Sequence, residues 1–451
     1  MSLARYERYR DSGVEWIGEI PEGWEVKKLK YCTNLLIDGS HTTPTYLPDG
    51  IPFLRVTDIQ SKEIDLNNVK YIAVEEHELL SKRCNPEKDD VLLSKNGTIG
   101  ITKVVDWDWE FSVFVSLCLI KLKKQVLNPK FFSAQFGSNV VDQQIVEGSK
   151  QTSVINLHLD KINELLVIIP PLPEQTAIAS FLDRKTVEID RLIANKEKLI
   201  ALYEDEKTAI INRAVTKGLD PKVTTKPSGV DWLGDIPEHW EVKRLKYFIS
   251  KLESGVSVNA TDYPATGAEY GILKTSCVYN YNFNASENKA IWENELDRAK
   301  VSPRKGSIII SRMNTPDLVG ASGYVDHDLP TLFLPDRLWQ TVFWQGVEID
   351  AKWLSYVLKC SSFRKLLSIT ATGTSPSMKN LGQEEFLNIA IPFMKIDEQT
   401  AIVTHIETEC SRLDAIIEKF KKQIELFKEY RTTLISEVVT GKIDVRGEVA
   451  A

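Results

Sequence analysis

Residue types that perform catalysis are present in this sequence, but not at the spacings catalysis uses. The six histidines, His41, His77, His158, His239, His327 and His405, are isolated, with no i,i+4 pair to hold a metal ion. The six cysteines, Cys32, Cys84, Cys118, Cys277, Cys360 and Cys410, are scattered, and no two form a CxxC. Neither a zinc site nor a disulfide framework is therefore expected. They read as reduced, mostly buried thiols of a cytoplasmic protein. There is no GxxxxGK[ST] loop for nucleotide phosphates, no GxSxG elbow and no HExxH.

Two segments come near a catalytic motif. Asn128-Pro129-Lys130-Phe131 approaches an amino-methylation motif but lacks its second proline. The counterpart Asp350-Ala351-Lys352-Trp353 has no proline at all, so helix capping explains both better. Glu87, Asp89 and Asp90, with Lys88 and Lys95, faintly resemble a nuclease metal site. Their counterpart carries Gly306 and Ser307 in place of the aspartates, so a shared metal role is not expected. No cofactor and no metal are called for.

The dominant feature is a duplication. Ser12 to Tyr31 reads SGVEWIGEIPEGWEVKKLKY, and Ser228 to Tyr247 reads SGVDWLGDIPEHWEVKRLKY, with about three quarters of positions identical. EQTAI occurs at Glu174 to Ile178 and again at Glu398 to Ile402. A period of roughly 220 residues is too long for a solenoid unit and signals two copies of a whole domain. Fainter echoes lie between. Pro86 to Lys95 (PEKDDVLLSK) matches Pro303 to Arg312 (PRKGSIIISR), each a turn, an apolar strand, then Ser and a cation. Asn156-Leu157 and Asn380-Leu381 each follow a Gly/Ser/Thr-rich loop.

These residues need a scaffold, and four blocks emerge in an α+β chain. Residues 1–168 and 228–392 mix short apolar runs with turn signals, as in Ile51 to Val56, Val91 to Ser94 and Ser112 to Leu122. Residues 169–227 and 393–451 each hold a long helix, from Glu174 to about Lys217 and from Glu398 to about Thr440. GLDPKVTTKP, from Gly218 to Pro227, reads as a linker. Alternating steps of four and three select Leu182, Thr186, Ile189, Ile193, Lys196, Ile200, Tyr203, Lys207, Ile210 and Ala214. The second copy selects Ile406, Cys410, Leu413, Ile417, Phe420, Ile424, Phe427, Arg431, Leu434 and Val438. Most are apolar, so each helix carries a coiled-coil stripe, which Leu192 and Leu199 widen in the first. About 40 residues at 1.5 Å each span on the order of 60 Å, more than a small core needs, which suits a spacer.

The chain has 451 residues and a formal net charge of -7, which argues against a nonspecific polyanion binder but leaves a local basic face open. No apolar run approaches the roughly 20 residues of a membrane span, so no membrane partner is expected.

The doubled SGVxWxGxIPxxWEVxxLKY, the doubled EQxAI, TKGLD before the second copy and VTGKIDVRG from Val439 to Gly447 resemble the specificity (S) subunit of type I restriction-modification systems. The resemblance covers both ends and the middle of the chain. It implies two target recognition domains, each reading one part of a split, asymmetric double-stranded DNA site. It also implies two conserved helices packed as an antiparallel coiled coil, with pseudo-two-fold symmetry and a nearly circular organisation. Two modification (M) subunits, carrying S-adenosylmethionine and methylating adenine, would dock on the repeated regions. Restriction (R) subunits, with ATP-driven translocase and nuclease activity, would join them. No catalysis would reside in this chain. The alternatives from other classes are a single-chain nuclease or methyltransferase with tandem recognition domains, and a coiled-coil adaptor that binds only protein.

Base reading favours Arg or Lys for guanine and Asn or Gln for adenine, so polar loops beside glycine are the candidates. In the first block these are Lys95, Asn96 and Thr98, then Lys150, Gln151 and Thr152, with Ser40 to Thr43 behind them. In the second they are Arg312, Asn314, Thr374, Ser375 and Lys379. Arg55 and Lys274 share a position after a short apolar strand. Lys95 and Arg312 occupy the same point of both copies and are expected to hold phosphate, while their variable neighbours read bases. Trp16, Trp24, Trp232 and Trp240 read as core at the start of each block. Phe181, Leu192 and Leu199 are the expected contacts for the M subunit.

Overall fold

A computed structural model describes residues 4–138, 140–141, 144–145, 157–375 and 378–449. The chain divides into two compact units. Residues 1–197 and 421–451 form the first, and residues 198–420 the second.

In the first unit, strands β1 (Tyr9–Asp11) and β2 (Glu19–Pro21) form a hairpin, and β3 (Glu25–Lys28) follows. Strands β4 (Thr33–Asp38), β5 (Ile51–Leu54), β6 (Lys70–Ile72), β7 (Val91–Ser94), β8 (Thr102–Val104), β9 (Ser112–Val113) and β10 (Leu117–Leu122) build two sheets. One is antiparallel, in the order β4-β10-β7-β8. The other runs β6-β5-β9, with β5 and β9 parallel. Strand β11 (Leu166–Ile169) returns to pair with β3 before the long helix Leu172–Lys217.

The second unit repeats this plan. Strands β12 (Thr225–Pro227) and β13 (Asp235–Pro237) form the hairpin. Strand β14 (Glu241–Arg244) is followed by β15 (Ile249–Ser254), β16 (Gly271–Leu273), β17 (Asn288–Ala290), β18 (Ile308–Ser311), β19 (Met313–Asn314), β20 (Ser322–Tyr324), β21 (Leu332–Phe333) and β22 (Leu338–Phe343). The antiparallel sheet is β15-β22-β18-β20, and the mixed one is β17-β16-β21. After β23 (Thr372–Ser375) and β24 (Met378–Asn380), β25 (Ala390–Phe393) pairs with β14 and leads into the helix Ile396–Val439. Strands β19, β24 and β23 form a further small sheet. The faint internal echoes thus mark the same strand order twice.

Each unit has a main core and a satellite core. Strands β7 and β18 are buried along their whole length, which is why they read as unbroken apolar runs rather than alternations. In the first unit Ile178, Leu182 and Ile189 from the first long helix join Leu434 and Val438 from the second, and Arg431 pairs with Asp190 at 3.2 Å. In the second unit Lys207 pairs with Asp414 at 2.6 Å, and the Tyr203 and Phe420 rings lie 6.0 Å apart. Within each unit the two helix segments run in opposite directions. The alternating four-three stripe is the face they share.

The two copies of EQTAI have a structural cause. Trp24 and Trp240 are fully buried, and their indole N–H groups donate to Glu174 at 3.2 Å and Glu398 at 2.9 Å. The next residue is a clamp. Gln175 accepts from the Asn128 N–H at 2.7 Å and donates to the carbonyls of Val126 and Pro170. Gln399 accepts from the Asp350 N–H at 2.8 Å and donates to Met394 and Glu348. A buried amide that meets backbone donors and acceptors at once ties the helix start to the next element. Asn128 and Asp350 in turn cap the helices Pro129–Phe136 and Ala351–Lys359, each side chain accepting two backbone N–H bonds. The near-methylation motif is a helix N-cap.

The TKGLD and TGKID segments close each unit. Gly218 and Gly441 both end a long helix at a φ of +73°, against Trp240 and Trp24 respectively.

Candidate nucleic-acid interface

One backbone node recurs in both units. Strand β7 ends at Ser94, whose Oγ accepts from the Ile101 N–H at 2.8 Å, and Lys95 follows. The Lys95 N–H donates to the Ser116 carbonyl at 3.0 Å, and its carbonyl accepts from Leu157 at 2.9 Å. Strand β18 ends at Ser311, and Arg312 follows. The Arg312 N–H donates to the Arg337 carbonyl at 3.0 Å, and its carbonyl accepts from Leu381 at 2.8 Å. The cation position is therefore where the chain returning from the Gly/Ser/Thr-rich loop is fastened to the central strand.

The side chains at this node differ from expectation. Lys95, whose shared position with Arg312 predicts a phosphate-holding cation, is 5% exposed, with Nζ 3.2 Å from Asp38 Oδ1. An ammonium taken out of water keeps a carboxylate beside it, so this charge is neutralised inside the fold. His41 Nε2 lies 3.4 Å from the other oxygen of Asp38. Arg312 is half-buried, donating from Nε to the Asp336 carbonyl at 2.7 Å and from Nη1 to Asn380 Oδ1 at 3.2 Å. Asn314 is buried as well. Its amide donates to Tyr279 Oη at 3.1 Å and Ser311 Oγ at 3.2 Å, and its carbonyl oxygen accepts from the Thr315 N–H. The expectation that Asn314 presents its amide to an adenine is thus corrected: both ends of the amide have partners inside the unit.

Arg55 and Lys274 do share a position, each preceding a one-turn helix after β5 and β16. Arg55 makes two parallel bonds to Asp58, both at 3.0 Å. Lys274 pairs with Glu287 at 2.7 Å, and together with Ser276 it holds the Glu287 carboxyl below the usual carboxylate range. Thr98 is exposed, and Asn96 is half-buried with an Oδ1 that has no partner among the described residues. Lys150, Gln151 and Thr152 lie outside the described residues. Thr374 and Ser375 belong to β23, and Lys379 on β24 sits opposite Asn314 in the register of β19. The second unit therefore gathers Arg312, Asn314, Thr374, Ser375 and Lys379 around one small sheet. Thr275, next to Lys274, reaches the same cluster through Tyr279 Oη at 2.8 Å.

Two residues at this place were missed in the sequence. Tyr279 links the Lys274 helix to Asn314. Arg337 is exposed on the segment that receives the Arg312 N–H. Its alignment with Ser116 through the shared strand order was the available signal.

The acidic group of the first unit is held by lysines. Lys121 lies 2.7 Å from Glu87 and 2.8 Å from Asp90, and Lys124 lies 3.2 Å from Asp89. Asp89 adopts a φ of 67°, matching its counterpart Gly306 at 81°, so the residue serves a left-handed turn. No group of three His, Cys, Asp or Glu among the described residues is arranged to hold a metal. No helix among them is long and apolar enough to cross a membrane.

The expected docking residues divide. Phe181 is 1% exposed in the main core, so its selection as a docking residue is corrected: it lies on the inner side of the stripe. Leu192 and Leu199 are exposed at 40% and 37%. Trp16 is also exposed, and Trp232 is half-buried with its indole N–H on the Ala390 carbonyl at 3.0 Å.

Residues 21–201 match the family described as "Type I restriction modification DNA specificity domain". The chain is similar to the type I restriction enzyme MjaVIII specificity subunit of Methanocaldococcus jannaschii, with 26% identity, covering 95% of this chain and 94% of the relative. Its fold is similar to that of a chain solved for the "complex assembly and conformational transition of the type I R-M system". The TM-score is 0.70 at 14% identity, covering 94% of this chain and 99% of the other. The HsdS subunit from Thermoanaerobacter tengcongensis is similar with a TM-score of 0.52 at 15% identity, covering 94% and 98%. The resemblance carried by the doubled motifs is borne out by these matches.

Proposed function

We infer that this chain is the DNA-recognition (specificity) subunit of a type I restriction-modification system. The observation that carries this reading is the strand order repeated in both units with unlike loops around one shared backbone node. A repeated scaffold with diverged polar loops suits two half-sites that differ in sequence.

In this reading, residues 1–168 and 228–392 are target recognition domains, each reading one half of an asymmetric bipartite site in double-stranded DNA. Residues 169–227 and 393–451 form the helical spacer, an antiparallel coiled coil with pseudo-two-fold symmetry in a nearly circular chain. Arg55, Asn96 and Thr98 contact the first half-site, and Lys150, Gln151 and Thr152 are assigned to it from residue type alone. Lys274, Thr374, Ser375 and Lys379 face the second. Two M subunits dock through surfaces that include Leu192 and Leu199, and R subunits join the assembly in the cytoplasm. Adenine methylation and ATP-dependent cleavage belong to those partners, and this chain performs no catalysis.

The test is co-expression with the M subunit and mapping of N6-methyladenine across a genome. A single bipartite motif is expected. Replacing residues 228–392 by the corresponding block of a relative should change one half of the motif only. Methylation without this chain, or a change in both halves, refutes the reading.

A further inference from the structure

The polar side chains at the node of the second unit are of two kinds. Arg312 and Asn314 are the obvious base readers by type, yet both are engaged internally. Arg312 joins the Asp336 carbonyl to Asn380 on β24, and Asn314 joins Tyr279 to Ser311. A donor already bonded inside the fold must break that bond to reach a base, which removes much of the gain. Arg337 and Lys379 differ. Arg337 is exposed and Lys379 half-buried, and neither side chain has a hydrogen bond or ion pair among the described residues. Both are anchored one step from the node. Arg337 offers its carbonyl to the Arg312 N–H, and Lys379 is the register partner of Asn314. The backbone that holds them is fixed, while their charged ends have no hydrogen bond or ion pair among the described residues.

We propose that Arg337 joins Lys379 as a DNA-contacting cation beside the node of the second unit, and that Arg312 and Asn314 are positioning residues that hold the β19-β24-β23 sheet beside them. This assignment rests on the recognition reading above. It also explains an asymmetry between the units. The residue equivalent to Arg337 in the first unit is Ser116, which receives the Lys95 N–H in the same way. The first unit thus lacks a cation at a point where the second presents an exposed guanidinium. An exposed guanidinium with five N–H donors suits phosphate or the guanine O6/N7 edge.

The experiment measures affinity and its salt dependence for the complex of this chain with the M subunit, on a duplex carrying the methylated motif. Each phosphate contact contributes about one to the slope of log affinity against log salt. R337A and K379A, whose side chains have no hydrogen bond or ion pair among the described residues, should each weaken binding roughly 5- to 150-fold. For a phosphate contact the slope falls by about one. For a guanine contact the slope holds and the methylation motif loses one position in the second half-site. R312A should weaken binding with an unchanged slope. R312K, which retains one donor, should recover part of the loss. S116R should steepen the slope by about one if the equivalent point of the first unit also faces DNA. Unaltered affinity, slope and motif in both R337A and K379A overturns the assignment. A slope lowered by R312A assigns DNA contact to Arg312 and overturns its positioning role, and a flat response to S116R overturns the shared orientation of the two nodes. If the wild-type complex shows no motif-specific binding, the recognition reading itself fails, and this assignment with it.

Discussion

Adding one methyl group at Gly441 tests how the long helices are fastened to the globular layers. Gly441 has a φ of +73°, as do Gly218 and Gly229, and Gly13 has +74°. Alanine in the left-handed region costs about 1–2 kcal/mol whatever surrounds it. A Cβ at Gly13 or Gly229 would meet nothing within 4 Å. G13A and G229A should therefore show the backbone cost alone, about 1–2 kcal/mol. A Cβ at Gly218 would lie 3.3 Å from the Trp240 ring, which is fully buried and cannot yield easily. A Cβ at Gly441 would press into the Pro21 ring and sit 3.0 Å from Trp24. Overpacking adds roughly 1–3 kcal/mol, so G441A should cost about 2–5 kcal/mol and G218A should fall between it and the controls. For units of this size each kcal/mol moves a melting transition by about 2–4 °C, so G441A should lower the first unit's transition by about 4–20 °C. The assay is thermal and urea unfolding of the full chain, with each transition assigned to its unit by hydrogen exchange of peptides from residues 1–197 and 198–420. A G441A variant no less stable than G13A would refute the packing argument. Equal losses at all four positions would leave backbone strain as the only cause.

Other perturbations address the clamp, the docking face and pH. Gln399→Leu leaves the Asp350 N–H and the Met394 carbonyl unpaired, and should cost roughly 2–5 kcal/mol in chemical denaturation; no measurable loss would show that the amide is dispensable. Leu192→Asp with Leu199→Asp should leave the melting temperature within about 2 °C, because both are surface positions. The same pair should reduce M-subunit co-purification, and unchanged recovery would remove these leucines from the docking face. Arg446 donates to Asp444 at 2.7 and 3.0 Å and holds its carboxyl below the usual carboxylate range. A depressed folded pKa contributes stability above the unfolded value near 4, lost as pH falls through the lower folded value. Arg446→Met should lower stability at neutral pH and flatten the acid loss below about pH 4; parallel pH curves for the two proteins would exclude the coupling.

The duplication, the two long helices and the face they share are legible in the order of residues alone. Repetition and periodicity are properties of the chain, and they survive without coordinates. The anchoring role of Glu174 and Glu398, with Gln175 and Gln399, was visible only as a repeated string. Its cause needed Trp24, Trp240, Asn128 and Asp350 to arrive from distant segments. The N-cap role of Asn128 and Asp350 was legible because capping is local. The candidate reading residues were legible by type and loop, but not by availability. Whether a charged side chain is free depends on what the fold brings beside it. Tertiary packing placed Asp38 against Lys95 and Asn380 against Arg312, buried Phe181, and set Tyr279 on Asn314. It left Arg337 and Lys379 without partners among the described residues. Pairing across 57 residues of chain, as between Asp38 and Lys95, is decided by strand order and register, and no local pattern of residues encodes it.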